Sequence, residues 1–290
     1  MCGLMTIGQT ASKTKAALAA AAMLGLPAVA WAGPADTYYE RAFVVAADAR
    51  CNLFAPQIEA ALNAATAQAR GAALRSGAGE ADLSAAAVRA RARAGTVSCT
   101  DPQLATVRAR VDGAFSGWLR TPRMEFPGAR RAWIANRVSS INANWRLQQM
   151  SVVGASPVAF GYAGKGDTPG LIAVVSFIGR SRPYAARIVL RDPVRVPRPW
   201  LAGDGLVPVS ARGSLWATGV GPADKFLLAE GRRTGEAWRF PTATAVALER
   251  LDPRETFAVE FHFRDGSVAT AKFEAGDFAA GRAFLAMGML

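Results

Sequence analysis

The hydrophobic pattern of this 290-residue chain changes period once, and that change constrains the fold more than any other feature. Up to residue 120 the apolar positions recur every three or four residues. After residue 128 they alternate. A helix places positions three and four apart on one face, whereas a strand places alternate positions on one face. Tyr39, Phe43, Val44, Ala47 and Cys51 follow helical spacing, and Ile58, Leu62, Ala65, Ala69 and Ala73 continue it beyond Pro56. Gly77 and Gly79 interrupt the pattern. A third helix then opens at Asp82 or Ser84 and runs to Ala94, stopped by Gly95. Thr100, Asp101 and Pro102 form a start signal, an N-cap candidate followed by a first-turn proline. Leu104, Val107, Val111, Phe115 and Leu119 then make one stripe. The alternate arginines Arg89, Arg91 and Arg93 diverge around a helix and read as solvated surface.

The segment 121–128 (TPRMEFPG) reads as a linker from its two prolines and terminal glycine. Beyond it, candidate strands fall at 131–137, 144–150, 158–163, 171–178, 184–191, 206–209, 214–218, 225–229, 236–240, 256–264 and 268–274. The run 171–178 is apolar on both parities, as a strand covered on both faces requires. Two short helices complete the reading, one over 243–251 and one from an Asp277 N-cap to Met287, burying Phe278, Phe284 and Leu285.

The last hairpin allows a test of register. A two-residue Asp265-Gly266 loop would set Phe261 opposite Thr270 and mix the two faces. A three-residue loop of Arg264, Asp265 and Gly266 pairs Phe257 with Phe273, Val259 with Ala271 and Phe261 with Ala269. The other face then carries Glu260 beside Thr270 and His262 beside Val268. Only this register separates apolar from polar, so the spacing predicts a bulged turn with Gly266 left-handed. The expected fold class is therefore α+β: an N-terminal helical domain (33–120), then a mostly antiparallel β-sandwich-like domain (129–290).

Residues 1–32 read as an export signal, with Lys13 and Lys15 ahead of an apolar stretch that ends on Ala30, Trp31 and Ala32. That stretch is shorter than the roughly 20 strongly apolar residues of a membrane span. Export leaves Cys51 and Cys99, an even pair in an oxidising compartment, and so predicts a disulfide stapling the helical domain. It also disfavours nucleic acid as a partner. Without the signal, residues 33–128 hold 11 bases against 9 acids, and residues 129–290 hold 21 against 13, so the basic character belongs to the second part. Such a surface favours an envelope protein or an anionic glycan or lipid surface. Equally, Arg supplies 29 of those 32 bases and the residues are scattered, which Ala-, Gly- and Arg-rich coding produces by itself.

Candidate chemistry is sparse. His262 is the only histidine. With Glu260 and Arg264 it forms a polar group on the last hairpin that could serve acid–base chemistry, although an exposed strand histidine explains it as well. No serine or cysteine nucleophile can be set beside it. The glycine-rich stretch 161–168 (GYAGKGDT) lacks the Ser or Thr after lysine that a phosphate loop needs, and joins two strands. It reads as a hairpin loop. Trp145 with Arg146, Arg198 with Trp200, and Trp238 with Arg239 could form a stacking surface for an acidic ligand, but alternation more simply buries the tryptophan. No spacing calls for a metal or a cofactor.

Residues 247–251 (ALERL), 257–261 (FAVEF), Asp265 with Gly266, and 276–285 (GDFAAGRAFL) resemble the tail of the invasion-associated locus B family of exported bacterial proteins. The resemblance covers about the last 45 residues and implies export, with no catalytic residue to transfer. The family's cysteines have no counterpart in the C-terminal part here. Together these features point to a periplasmic or secreted binding or envelope-accessory protein, with a carboxylate-dependent hydrolase using Glu260 and His262 as the alternative.

Overall fold

A computed structural model describes residues 33–166, 169–202 and 205–290. Residues 1–32, expected to be an export signal, and Asp167 and Thr168 of the glycine-rich stretch, lie outside them.

Four helices come first: α1 (Pro34–Cys51), α2 (Pro56–Arg75), α3 (Glu80–Thr96) and α4 (Pro102–Leu119). Asn52, left-handed at φ 51°, ends α1, and the Asp48 carboxylate accepts from the Leu53 and Phe54 amides beyond it. Gly79 rather than Asp82 or Ser84 stands at the start of α3, while Asp101 caps α4 as expected by accepting from Gln103 N at 2.8 Å. Because the α2 stripe is mostly alanine, with Ala61, Ala64, Ala65 and Ala73 inaccessible, neighbouring helices approach it closely. Cys51 and Cys99 are bonded, their Cα atoms 5.5 Å apart. Arg50 reinforces this corner by donating to the carbonyls of Ala94 and Gly95, which satisfies the end of α3. Arg89, Arg91 and Arg93 are exposed.

The rest is two antiparallel sheets. Seven strands follow the order β1 (Arg123–Phe126), β2 (Trp133–Asn136), β3 (Asn144–Val153), β4 (Ser156–Gly164), β5 (Gly170–Val175), β9 (Glu236–Arg239), β8 (Gly219–Pro222). Four follow the order β11 (Val268–Glu274), β10 (Thr256–His262), β6 (Ala185–Arg191), β7 (Arg212–Trp216). The chain passes from one sheet to the other after β7. Ala217 N still bonds Ala186 O, and Thr218 N already bonds Arg239 O.

Four readings of the sequence need correction. The segment 121–128 is not a bare linker: Pro122 and Pro127 bracket β1, which pairs with β2, and Phe126 is fully buried. Residues 225–229 turn instead of extending, because the Asp224 side chain accepts from Phe226 N and caps a 3-10 turn at Lys225–Leu227. Residues 206–209 form no strand and lead into a second such turn at Val209–Ala211. β8 was not anticipated, since its Gly-Val-Gly-Pro sequence has little strand propensity; it lies at a sheet edge, where proline removes no needed donor.

The last hairpin has the expected register throughout, with Phe257 opposite Phe273, Phe261 opposite Ala269 and His262 opposite Val268. Gly266 is left-handed at φ 82°. Gly161, within β4 at φ 148°, faces a bulge in β3, and a Cβ there would stand 1.9 Å from Leu147 O. The glycine-rich stretch is thus strand up to Gly164, and β4 pairs antiparallel with β5, the next strand.

The inner faces of the two sheets meet in an aromatic core, with Phe160 touching both Phe257 and Phe273. Ile58, Leu62 and Phe115 of the helices belong to the same cluster, together with Phe278 and Phe284 of α6 (Phe278–Leu285). α5 (Ala243–Glu249) adds Ala245 and Leu248. Asp277 stands just before α6, but its carboxylate takes two hydrogen bonds from Arg75 of α2, both 2.8 Å, instead of capping α6. Part of the open side of β11 is covered by side chains of β3 and of the β1–β2 connection. Gln149 exchanges two hydrogen bonds with the Glu274 backbone, and Ser151 and Arg131 donate to Lys272 O.

Candidate functional site on the outer face of the four-stranded sheet

Alternation in β10, β6 and β7 sends Phe261, Ile188 and Leu215 inward and leaves Glu260, Arg187 and Trp216 on the opposite face. Register then sets these three in one row, Glu260 opposite Arg187 and Arg187 opposite Trp216, with Thr270 of β11 completing it. Arg187 Nε donates to Glu260 Oε2 at 2.8 Å, and Arg212 Nη1 lies 3.9 Å from Oε1. Glu260 is only 6% exposed. A carboxylate that buried needs such cationic partners, so its charge is spent on holding the two arginines.

His262 is corrected from exposed to largely covered. Its Nε2 lies 3.7 Å from Glu260 Oε2 and has no hydrogen-bond partner among the described residues. Its ring lies 5.3 Å from Trp216 and 6.4 Å from Tyr184. Burial lowers its pKa below the ordinary 6.5, the Arg187 charge adds to that, and Glu260 opposes it. The imidazole is therefore mainly neutral at pH 7.

Over this polar base lie the aromatic rings. Tyr184 is 59% exposed and Trp216 is 48% exposed. The Arg187 guanidinium sits 5.2 Å from the Trp216 ring centre, so it braces the indole while its Nε is held by Glu260. Together they form an exposed aromatic platform with tilted rings, backed by the Arg187–Glu260 pair. Glu260 and His262 are brought together as the sequence suggested. Arg264 is not: it lies exposed in the turn and forms no ion pair with Glu260.

The tryptophan–arginine neighbours singled out in the sequence lie elsewhere. Trp238 is buried and Arg239 exposed, whereas Arg146 is buried, donating to the Val138 and Gly166 carbonyls, beside a half-buried Trp145. Trp200 is half-buried near the buried Arg191–Glu255 pair. Sequence reading missed Trp216, Tyr184, Arg187 and Arg212. The alternation Arg212, Ser214, Trp216 in β7 is the signal that could have found them, once β7 is set beside β6.

Four buried acids of the β-rich part are each held by an arginine. Asp252 is held by Arg254, Glu255 by Arg191, Glu260 by Arg187 and Asp277 by Arg75. Among the described residues no group of three or more His, Cys, Asp or Glu could hold a metal ion. The stretches that carry the family resemblance fall on the end of α5, on β10 and the turn after it, and on α6. No family model matches the chain, and neither a curated protein nor a solved structure matches it.

Proposed function

We propose that this is an exported, non-enzymatic binding protein of the cell envelope, and that the Trp216 platform holds an acidic glycan. Export is supported by the Cys51–Cys99 disulfide, by the N-terminal signal pattern, and by the fact that among the described residues no helix is long and apolar enough to cross a membrane. The binding reading is carried by one observation: a half-exposed indole braced by a guanidinium at the β7 edge of the four-stranded sheet. A ring that stacks on Trp216 or Tyr184 would bring its acidic groups to Arg187 and Arg212. Glu260 serves this platform as an anchor for the arginines.

The test is titration of the purified protein with heparin as the acidic probe and dextran as the neutral one, read by tryptophan fluorescence. Heparin should bind, dextran should not, and Trp216→Ala should weaken heparin binding about two- to fivefold, the range of a surface cation–π contact. Equal affinity for both polymers, or an unaffected Trp216→Ala, would remove the proposal. Turnover of a glycan or ester panel that Glu260→Gln abolishes would put carboxylate-dependent hydrolysis in its place.

A further inference from the structure

A cavity of about 370 Å³ opens between α1, α2 and Pro127. Helical spacing builds it. Pro34, Thr37 and Arg41 recur three and four residues apart on α1, and Gln68, Ala72 and Arg75 do so on α2. The two guanidinium groups in this lining are held in different ways. Arg75 gives its terminal nitrogens to the two oxygens of Asp277, each at 2.8 Å, and the Asp277 side chain is inaccessible. The charge of Arg75 is thus balanced inside the wall.

The charge of Arg41 is not. Arg41 is half-buried, and its one hydrogen bond among the described residues runs from Nη1 to Ala65 O at 2.6 Å. Burial pushes its pKa down, and no neighbouring acid pushes it back. Arg137 meets the same difficulty with four carbonyls, those of Trp118, Thr121, Met287 and Gly288. Arg41 has a single carbonyl, and the rest of its guanidinium is left to whatever fills the cavity. A partly desolvated cation held in this way is costly, and an anion that meets it recovers that cost.

The remaining lining sets the character of that anion. Arg41 supplies one unbalanced positive charge, which matches one acid group and not a dianion. Pro34, Ala69, Ala72 and Pro127 give apolar walls, which match an apolar body. At about 30 Å³ per water-sized group the cavity holds about a dozen non-hydrogen atoms, enough for one ring with a short acid arm.

We infer that this cavity binds a small monocarboxylate with an apolar body, its acid group on Arg41 and its body against Ala69, Ala72 and Pro127. None of the lining residues belongs to the Trp216 platform, so the two sites stand or fall separately.

Calorimetric titration of the purified protein with phenylacetate tests this. Phenylacetamide is the uncharged arm, acetate the acid without a body, and inorganic phosphate the small multivalent anion. Phenylacetate should bind at least about tenfold more tightly than any of the three, and Arg41→Gln should weaken it at least about tenfold, as loss of a charged hydrogen bond does. Ala72→Leu, which fills the cavity and leaves Arg41 in place, should weaken phenylacetate about tenfold as well and keeps the test decisive if Arg41→Gln misfolds. No heat with phenylacetate at millimolar concentration, equal or tighter binding of phenylacetamide, acetate or phosphate, or full affinity in a folded Arg41→Gln or Ala72→Leu would overturn the pocket. Phenylacetate binding that survives Trp216→Ala would separate this site from the platform.

Discussion

At the scale of single residues, two positions convert geometry into measurable stability. Gly71 lies inside α2, where alanine would normally be preferred, but a Cβ there would stand 1.9 Å from Asp277 Oδ1. The Arg75–Asp277 pair and the helix backbone compete for the same space. Gly71→Ala should therefore destabilise by about 1–3 kcal/mol through overpacking. Gly113→Ala in α4, with nothing within 4 Å, should stabilise by about 0.5–1 kcal/mol. Chemical denaturation of the two variants checks the contrast; equal responses would show that the approach of Asp277 to α2 is loose. His262 gives a pH dependence. Its folded pKa lies below 6.5 because burial and Arg187 oppose its charge, so below 6.5 the unfolded chain binds more protons than the folded one. The stability from the neutral imidazole is complete above 6.5 and is lost as pH falls through the folded value. The melting temperature should fall between about pH 7 and pH 5, and His262→Gln should flatten that part of the profile.

At the scale of elements, what could be read from sequence followed the strength of the local pattern. The β10–β11 register was legible because only one pairing placed Phe257, Phe261 and Phe273 on one face. The helices were legible from their spacing and from Pro56 and Pro102. β1 was not, because Pro122 and Pro127 look like breakers when they in fact bracket four residues free to pair. The platform was invisible for another reason. Glu260, Arg187 and Trp216 come from three strands, two of them far apart in the chain, and no local pattern encodes that β10 lies beside β6 and β6 beside β7. The burial of Glu260 follows from that same pairing, since Arg187 and Arg212 are what make a buried carboxylate tolerable there.

At the scale of the whole molecule, α2 and α6 carry the helical region into the core of the sandwich, so a constraint on the helices is a constraint on the fold. The Cys51–Cys99 bond closes a separation of 48 residues, for which chain entropy gives a stabilisation of ~4 kcal/mol. Reduction with dithiothreitol, or the double change of Cys51 and Cys99 to serine, should lower the melting temperature of the whole protein in one transition. An unchanged transition would mean that the bond contributes nothing to holding the fold.

The side chains laid along β11 have a consequence for behaviour in a crowded compartment. A bare strand edge is a template on which another chain can add, and it invites polymerisation. Gln149 occupies both backbone groups of Glu274, and Ser151 and Arg131 occupy the Lys272 carbonyl, groups that an incoming strand would need. A partner arriving at these groups meets side chains and not an open ladder.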